Sequence, residues 1–76
     1  MEELLAYIAR GLVSDPDAVE VTRVERGDVI VLELRVAEGD VGKVIGRQGR
    51  TVRALRTLAR ASGARSGERV LVEIVG

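Results

Sequence analysis

Apolar and polar positions alternate along this chain with two periods. From Glu2 to Val13, Leu4, Ile8 and Leu12 recur at i, i+4 and i+8, with Leu5 and Ala9 beside them. That spacing predicts an amphipathic helix. Glu2 and Glu3 fall in its first turn, where negative charge suits the helix dipole. Ser14-Asp15-Pro16-Asp17 ends it, because proline neither continues a helix nor lets Asp15 hold helical angles easily. Tyr7, the one aromatic residue, is expected in the core or at its rim. From Val19 to Glu25 the period changes to two, with Val19 and Val21 alternating with Glu20 and Thr22. Arg23 then occupies an expected apolar place and Val24 falls out of register. This predicts a strand that lies at an edge, carries a bulge or ends early. Arg26-Gly27-Asp28 is a turn. Val29 to Val36 is the clearest strand, with Ile30, Leu32, Leu34 and Val36 on the face toward the helices and Val29, Val31, Glu33 and Arg35 on the other.

The second half repeats both periods. Asp40 is placed to cap a short helix from Val41 to Ile45. After a glycine-bracketed turn, Arg50 to Ala61 reads as a second long helix. At 100° per residue, Val52, Ala54, Leu55, Leu58, Ala59 and Ala61 fall on one side. Arg50, Arg53, Arg56 and Arg60 fall on the other. Gly63 is a candidate helix C-cap. Arg69 to Val75 is a last strand, with Val70, Val72 and Ile74 inward and Leu71, Glu73 and Val75 outward. The order helix, strand, strand, helix, helix, strand predicts an α+β domain: one three-stranded sheet with three helices on one face. All 76 residues are expected to form one domain.

Composition narrows the chemistry. Cysteine and histidine are absent. No disulfide framework or thiol chemistry is available, and the commonest general base and metal ligand are missing. The acidic residues are scattered and form no acid–base couple. An enzyme is not expected, nor are a metal, a cofactor or a small-molecule substrate. No apolar run approaches the ~20 residues of a membrane span, and the acidic start lacks the basic head of a signal peptide. A cytoplasmic protein is expected. Lys43 is followed by Val44, so the phosphate-binding pattern Gly-x-x-x-x-Gly-Lys-Ser/Thr is not made. The spacing of Gly42, Gly46 and Gly49 does not supply a dinucleotide fingerprint.

Net charge is zero, yet the charges are segregated. Met1 to Asp40 carries −6, Val41 to Gly67 carries +7 with no acidic residue, and Glu68 to Gly76 carries −1. A polyanion responds to the local field rather than to the net charge. The basic block centres on Val44-Ile45-Gly46-Arg47-Gln48-Gly49-Arg50-Thr51-Val52. Glycine lets another chain come close, and a Gly-x-x-Gly turn that opens a helix aims N–H groups and a positive helix end at an anion.

This stretch resembles the I-G-x-x-G-x-x-I core of KH domains, with Val52 in the last apolar place. The element order matches the bacterial-type (type II) KH fold, so the resemblance covers nearly the whole chain. More narrowly, three segments are similar to the small stand-alone KH proteins of bacteria of the KhpA (YlqC) family. They are Met1-Glu2-Glu3-Leu4-Leu5-Ala6-Tyr7-Ile8-Ala9, Pro16-Asp17-Ala18-Val19-Glu20-Val21, and Gly42-Lys43-Val44-Ile45-Gly46-Arg47-Gln48-Gly49-Arg50-Thr51. The resemblance implies a protein that clamps about four nucleotides of single-stranded RNA on its GxxG loop. It also implies self-association, pairing with a second KH-containing protein of the Jag type, and a role in RNA metabolism with links to cell elongation and division. On this basis Gly46, Arg47, Gln48, Gly49, Arg50, Arg53 and Lys43 are candidate phosphate contacts. Val44, Ile45, Val52 and Leu55, with part of the strand Val29 to Val36, are candidate walls of an aliphatic base groove. The competing expectation is a protein–protein adaptor with the same fold whose loop does not hold nucleic acid.

Overall fold

In the computed structural model, which describes all 76 residues, helix α1 (Glu2–Leu12) leads into strand β1 (Glu20–Arg26) and strand β2 (Val29–Arg35). Helices α2 (Val41–Ile45) and α3 (Arg50–Arg65) follow, and strand β3 (Arg69–Val75) closes the chain. Short 3-10 turns at Pro16–Ala18, Glu38–Asp40 and Arg47–Gly49 join them. The sheet has three strands in the order β1-β2-β3. β1 and β2 pair antiparallel as a hairpin, and β3 runs parallel to β2. The parallel crossover between β2 and β3 is made by α2 and α3, as a parallel pair requires. The expected α+β architecture is therefore the one observed.

β1 accounts for its own irregular pattern. Its seven residues pair with β2 without interruption, from Glu20 opposite Arg35 to Arg26 opposite Val29. There is no bulge. Arg23 lies opposite inward-facing Leu32, and Glu25 opposite Ile30, so both charges point to the helical side at the margin of the sheet. Arg23 there reaches Glu68 at 3.4 Å and Glu25 at 3.5 Å. Charges turned inward on an edge strand oppose pairing with a further strand.

The core joins Leu5, Ala6 and Ala9 of α1 to Ile30, Leu32, Leu34 and Val36, and to Val44, Leu55, Ala59, Val70 and Val72. On α1 the buried stripe is therefore turned by about one residue from the predicted one. Leu4 and Leu12 are exposed and Tyr7 is 74% exposed, so Tyr7 belongs to neither the core nor its rim. The small side chains of Ala6 and Ala9 let α1 lie close on the sheet, and the larger apolar residues stay outside. The inward row of β3 keeps Val70 and Val72 buried, and Ile74 packs partly buried against the core. On α3 the apolar face is narrower than predicted: Val52, Leu55 and Ala59 are buried, whereas Ala54, Leu58 and Ala61 are exposed. On the sheet's outer face Val31 is only 3% exposed. It sits in the central strand between Val24 and Leu71, which shield it from both sides.

Two polar features fix the helices that follow β2. Asp40 is buried, and it does not cap α2 as predicted. Its carboxylate instead accepts the Ser14 and Asp15 backbone N–H groups, each at 3.1 Å. The Lys43 ammonium lies 3.2 Å from the same carboxylate and donates to the Ser14 hydroxyl. The turn after α1 is thereby tied to the start of α2. Gly63 is likewise not a cap, since α3 continues through it to Arg65. It is buried where α3 crosses the start of β3. A β-carbon there would lie 2.5 Å from Val70 Cγ2 and 2.7 Å from the Glu68 carbonyl oxygen.

Two expectations follow. Gly63→Ala should lower stability in urea denaturation by about 1–3 kcal/mol through overpacking, despite alanine's better helix propensity. The Asp40 carboxyl is held below its ordinary pKa chiefly by the Ser14 N–H, then by Asp15 and Lys43, with burial opposing. A depressed carboxylate stabilises the fold above its unfolded pKa, about 3.9, and the contribution is lost as pH falls through the lower folded value. Asp40→Asn should therefore melt below wild type at pH 7, and the gap should narrow in melts taken below pH 4.

Candidate nucleic-acid interface

The Gly46–Gly49 turn joins α2 to α3 through three unusual backbone choices within four residues. Gly46 has φ 77°, Gln48 φ 57° and Gly49 φ 73°. At Gly46 a side chain is excluded by contact as well as by angle. A β-carbon would meet the Thr51 hydroxyl, lie 2.7 Å from Thr51 Cβ and lie 2.9 Å from its backbone nitrogen. Gln48 is the only non-glycine residue with positive φ. Polar residues tolerate this left-handed region better than branched ones. The turn is closed by the Gly49 N–H donating to the Gly46 carbonyl at 3.1 Å. No side chain caps the N-terminus of α3. The positive end of a 16-residue helix thus faces the turn, with the Arg50 N–H already donated to the Arg47 carbonyl.

The cations divide into two sets. Lys43 is held by Asp40 and Ser14, so it belongs to the brace under α2. Arg47, Arg50, Arg53, Arg56, Arg60 and Arg65 are all exposed, and none has a carboxylate partner. Arg50 only donates to the Gln48 side-chain carbonyl, at 3.3 Å. Exposed, unpaired guanidiniums around an uncapped helix end make a strongly positive corner that can take phosphate oxygens in bidentate fashion.

The four expected groove walls differ in accessibility. Val44, Val52 and Leu55 are buried, and only Ile45 is partly accessible. The first three are the floor that holds α2 and α3 on the sheet, not an open surface. β2 cannot line a groove along its edge either, because it is paired on both sides. The open channel is elsewhere. It lies between α3 and β3, with Arg56, Arg60, Val70, Leu71, Val72 and Glu73 around a volume of about 240 Å³. Arg56 and Arg60 therefore lean over the sheet edge rather than simply facing solvent. The available hint was topological: a final strand that follows a helix and pairs with nothing later in the chain leaves an edge beside that helix. No helix is long and apolar enough to cross a membrane. No group of three or more acidic, Cys or His side chains could hold a metal ion.

Comparison with known proteins agrees with this geometry. The family model described as KhpA/KhpB, KH domain, matches residues 2–74. The RNA-binding protein KhpA of Treponema pallidum is 54% identical over 74 residues, covering 97% of this chain and 92% of its own. That of Caldanaerobacter subterraneus subsp. tengcongensis is 49% identical over 75 residues, covering 99% and 100% respectively. Among solved structures, Era of Aquifex aeolicus bound to GDP and aluminium fluoride superposes with a TM-score of 0.61 at 19% identity. That match covers 96% of this chain but 28% of the Era chain, and it bears on fold alone. Both KhpA relatives bear the name RNA-binding protein. With the three-stranded mixed sheet, the glycine-bracketed turn between α2 and α3, and the match along residues 2–74, the chain belongs to the KhpA/KhpB family of KH-domain proteins.

Proposed function

We propose that this protein is a single KH module that binds single-stranded RNA in the cytoplasm, in the manner of an RNA chaperone or post-transcriptional regulator. The observation that carries the reading is the set of unpaired guanidiniums, Arg47, Arg50 and Arg53, around the Gly46–Gly49 turn. Gly46 and Gly49 let the sugar-phosphate chain come close. Arg47, Gln48 and Arg50 take phosphate oxygens, assisted by the α3 N-terminus, and Arg53 extends the track along α3. Lys43 contributes through the brace that positions α2. These contacts position the strand without reading its sequence. Bases then fall into the channel between α3 and β3, where Arg56, Arg60 and the edge of β3 supply contact. No aromatic platform lies beside it, so binding is modest and permissive.

A second copy of the chain is the proposed protein partner. Ala54, Leu58 and Ala61 form an exposed apolar strip on α3, on a flank of the helix different from Arg56 and Arg60. Small residues there let two helices approach closely. The same strip suits the KH domain of a Jag-type partner, and joining two modules raises the effective affinity of each for one strand.

The loop is tested by Arg47→Asp combined with Gln48→Asp. Both sites are exposed, and aspartate tolerates the left-handed angles at position 48, so the fold should persist. Gel shift with short single-stranded RNA should show binding by wild type and its loss in the double variant. Equal behaviour of the two would favour the adaptor reading. Neutralising about three phosphates should give log K against log salt a slope near −2. For the strip, Leu58→Glu should shift sedimentation toward the monomer, and a wild type that stays monomeric at high concentration would remove the homodimer.

A further inference from the structure

Only one edge of β3 is paired, and the other lies open beside α3. Successive residues of a strand direct their backbone N–H and C=O groups to alternate sides. The Val75 carbonyl accepts the Val36 N–H at 3.1 Å, so Leu71, Glu73 and Val75 turn theirs toward β2. Val70, Val72 and Ile74 therefore turn theirs toward the open edge. Arg56 reaches across from α3 to this edge, and its Nε–H donates to the Val72 carbonyl oxygen at 3.4 Å. The contact sits in the middle of the α3–β3 channel.

This arrangement changes what the edge can offer a base. A bare strand edge presents a donor and an acceptor at each outward residue. At Val72 the acceptor is engaged by the guanidinium, which covers a residue only 3% exposed, so the donors left to a base are the terminal Nη–H groups of exposed Arg56. A base in the channel thus meets donors. Adenine places its N6 donor next to an acceptor, so one of its groups would face a donor. Guanine turns two acceptors, O6 and N7, side by side, and a planar guanidinium holds that pair with two hydrogen bonds.

We propose that Arg56 is the specificity-determining residue of the α3–β3 channel, occupying the Val72 carbonyl so that the channel selects guanine over adenine. This inference rests on the RNA-binding reading above and adds to it the preferred base and the residue that sets the preference. Removing the guanidinium frees the Val72 carbonyl and restores an adjacent donor and acceptor, which suits adenine.

The test is fluorescence anisotropy with pentauridine oligonucleotides carrying guanosine or adenosine at the central position. Wild type should bind the guanosine oligomer about fivefold more tightly or better, the lower range of a bidentate base contact. Arg56→Ala should bring the ratio to one or below. Arg56→Lys keeps the charge but loses the planar fork, and should also lose the ratio while recovering part of the overall affinity. Arg60→Ala should weaken both oligomers alike and keep the ratio. The ratio is insensitive to partial misfolding, because an inactive fraction reduces both affinities equally. Equal binding of the two oligomers by wild type, or an unchanged ratio in Arg56→Ala, overturns the role of Arg56 while leaving RNA binding standing. If wild type binds neither oligomer even at low salt, the RNA-binding reading fails and this inference fails with it.

Discussion

The close approach of the Gly46 backbone to Thr51 is the constraint on which the functional face depends. Only a residue without a β-carbon lets α2 end and α3 begin within four residues while both helices stay seated on the sheet. The seat itself is apolar: Val44 lies beneath α2, and Val52 and Leu55 lie beneath α3. The turn between them is therefore held from below by the core and left bare above. The positive end of the α3 dipole is directed at this corner. Support from the core thus sits under a corner whose exposed side chains, Arg47, Gln48 and Arg50, are polar.

Charge is distributed to match. The acidic residues concentrate on the first forty positions, and the arginines of the second half stand without carboxylate partners. Where a cation does have a carboxylate nearby, as with Arg23, Arg26 and Lys43, it braces the fold. Surface ion pairs of the first two kinds contribute little each, so the separation matters more for the field than for stability. Leaving the arginines of α3 unneutralised keeps that field directed outward from one side of the molecule.

The order of elements, the strand faces and the loop were legible from residue patterns, because periods of two and 3.6 are imposed by the backbone itself. What was not legible depended on which partner each face meets. A wide apolar arc on α3 could not reveal that only Val52, Leu55 and Ala59 touch the sheet. On α1, nothing local shows that Ala6 and Ala9 are chosen over Leu4 and Leu12 for the interior. A glycine near a helix end suggests a cap by default, yet Gly63 is small because β3 passes against it. The burial of Val44, Val52 and Leu55 was illegible for a similar reason. Apolar residues flanking the loop signal core and surface with the same letters, and strand order decides between them. Arg23 was legible as an anomaly, and its meaning came only with its place at the margin of the sheet.

The Asp40 grip on Ser14 and Asp15 uses main-chain amides, not their side chains. The two ends of this contact are therefore unequally demanding of their side chains. The two amide bonds themselves tolerate most residue types at positions 14 and 15 and are cut only by a proline, which has no amide hydrogen, although position 14 also supplies the hydroxyl that Lys43 reaches. At position 40 few alternatives exist, since two amides and an ammonium converge on one buried carboxylate. A lineage could thus remodel the connection after α1 freely while the helix that carries the glycine turn keeps its orientation.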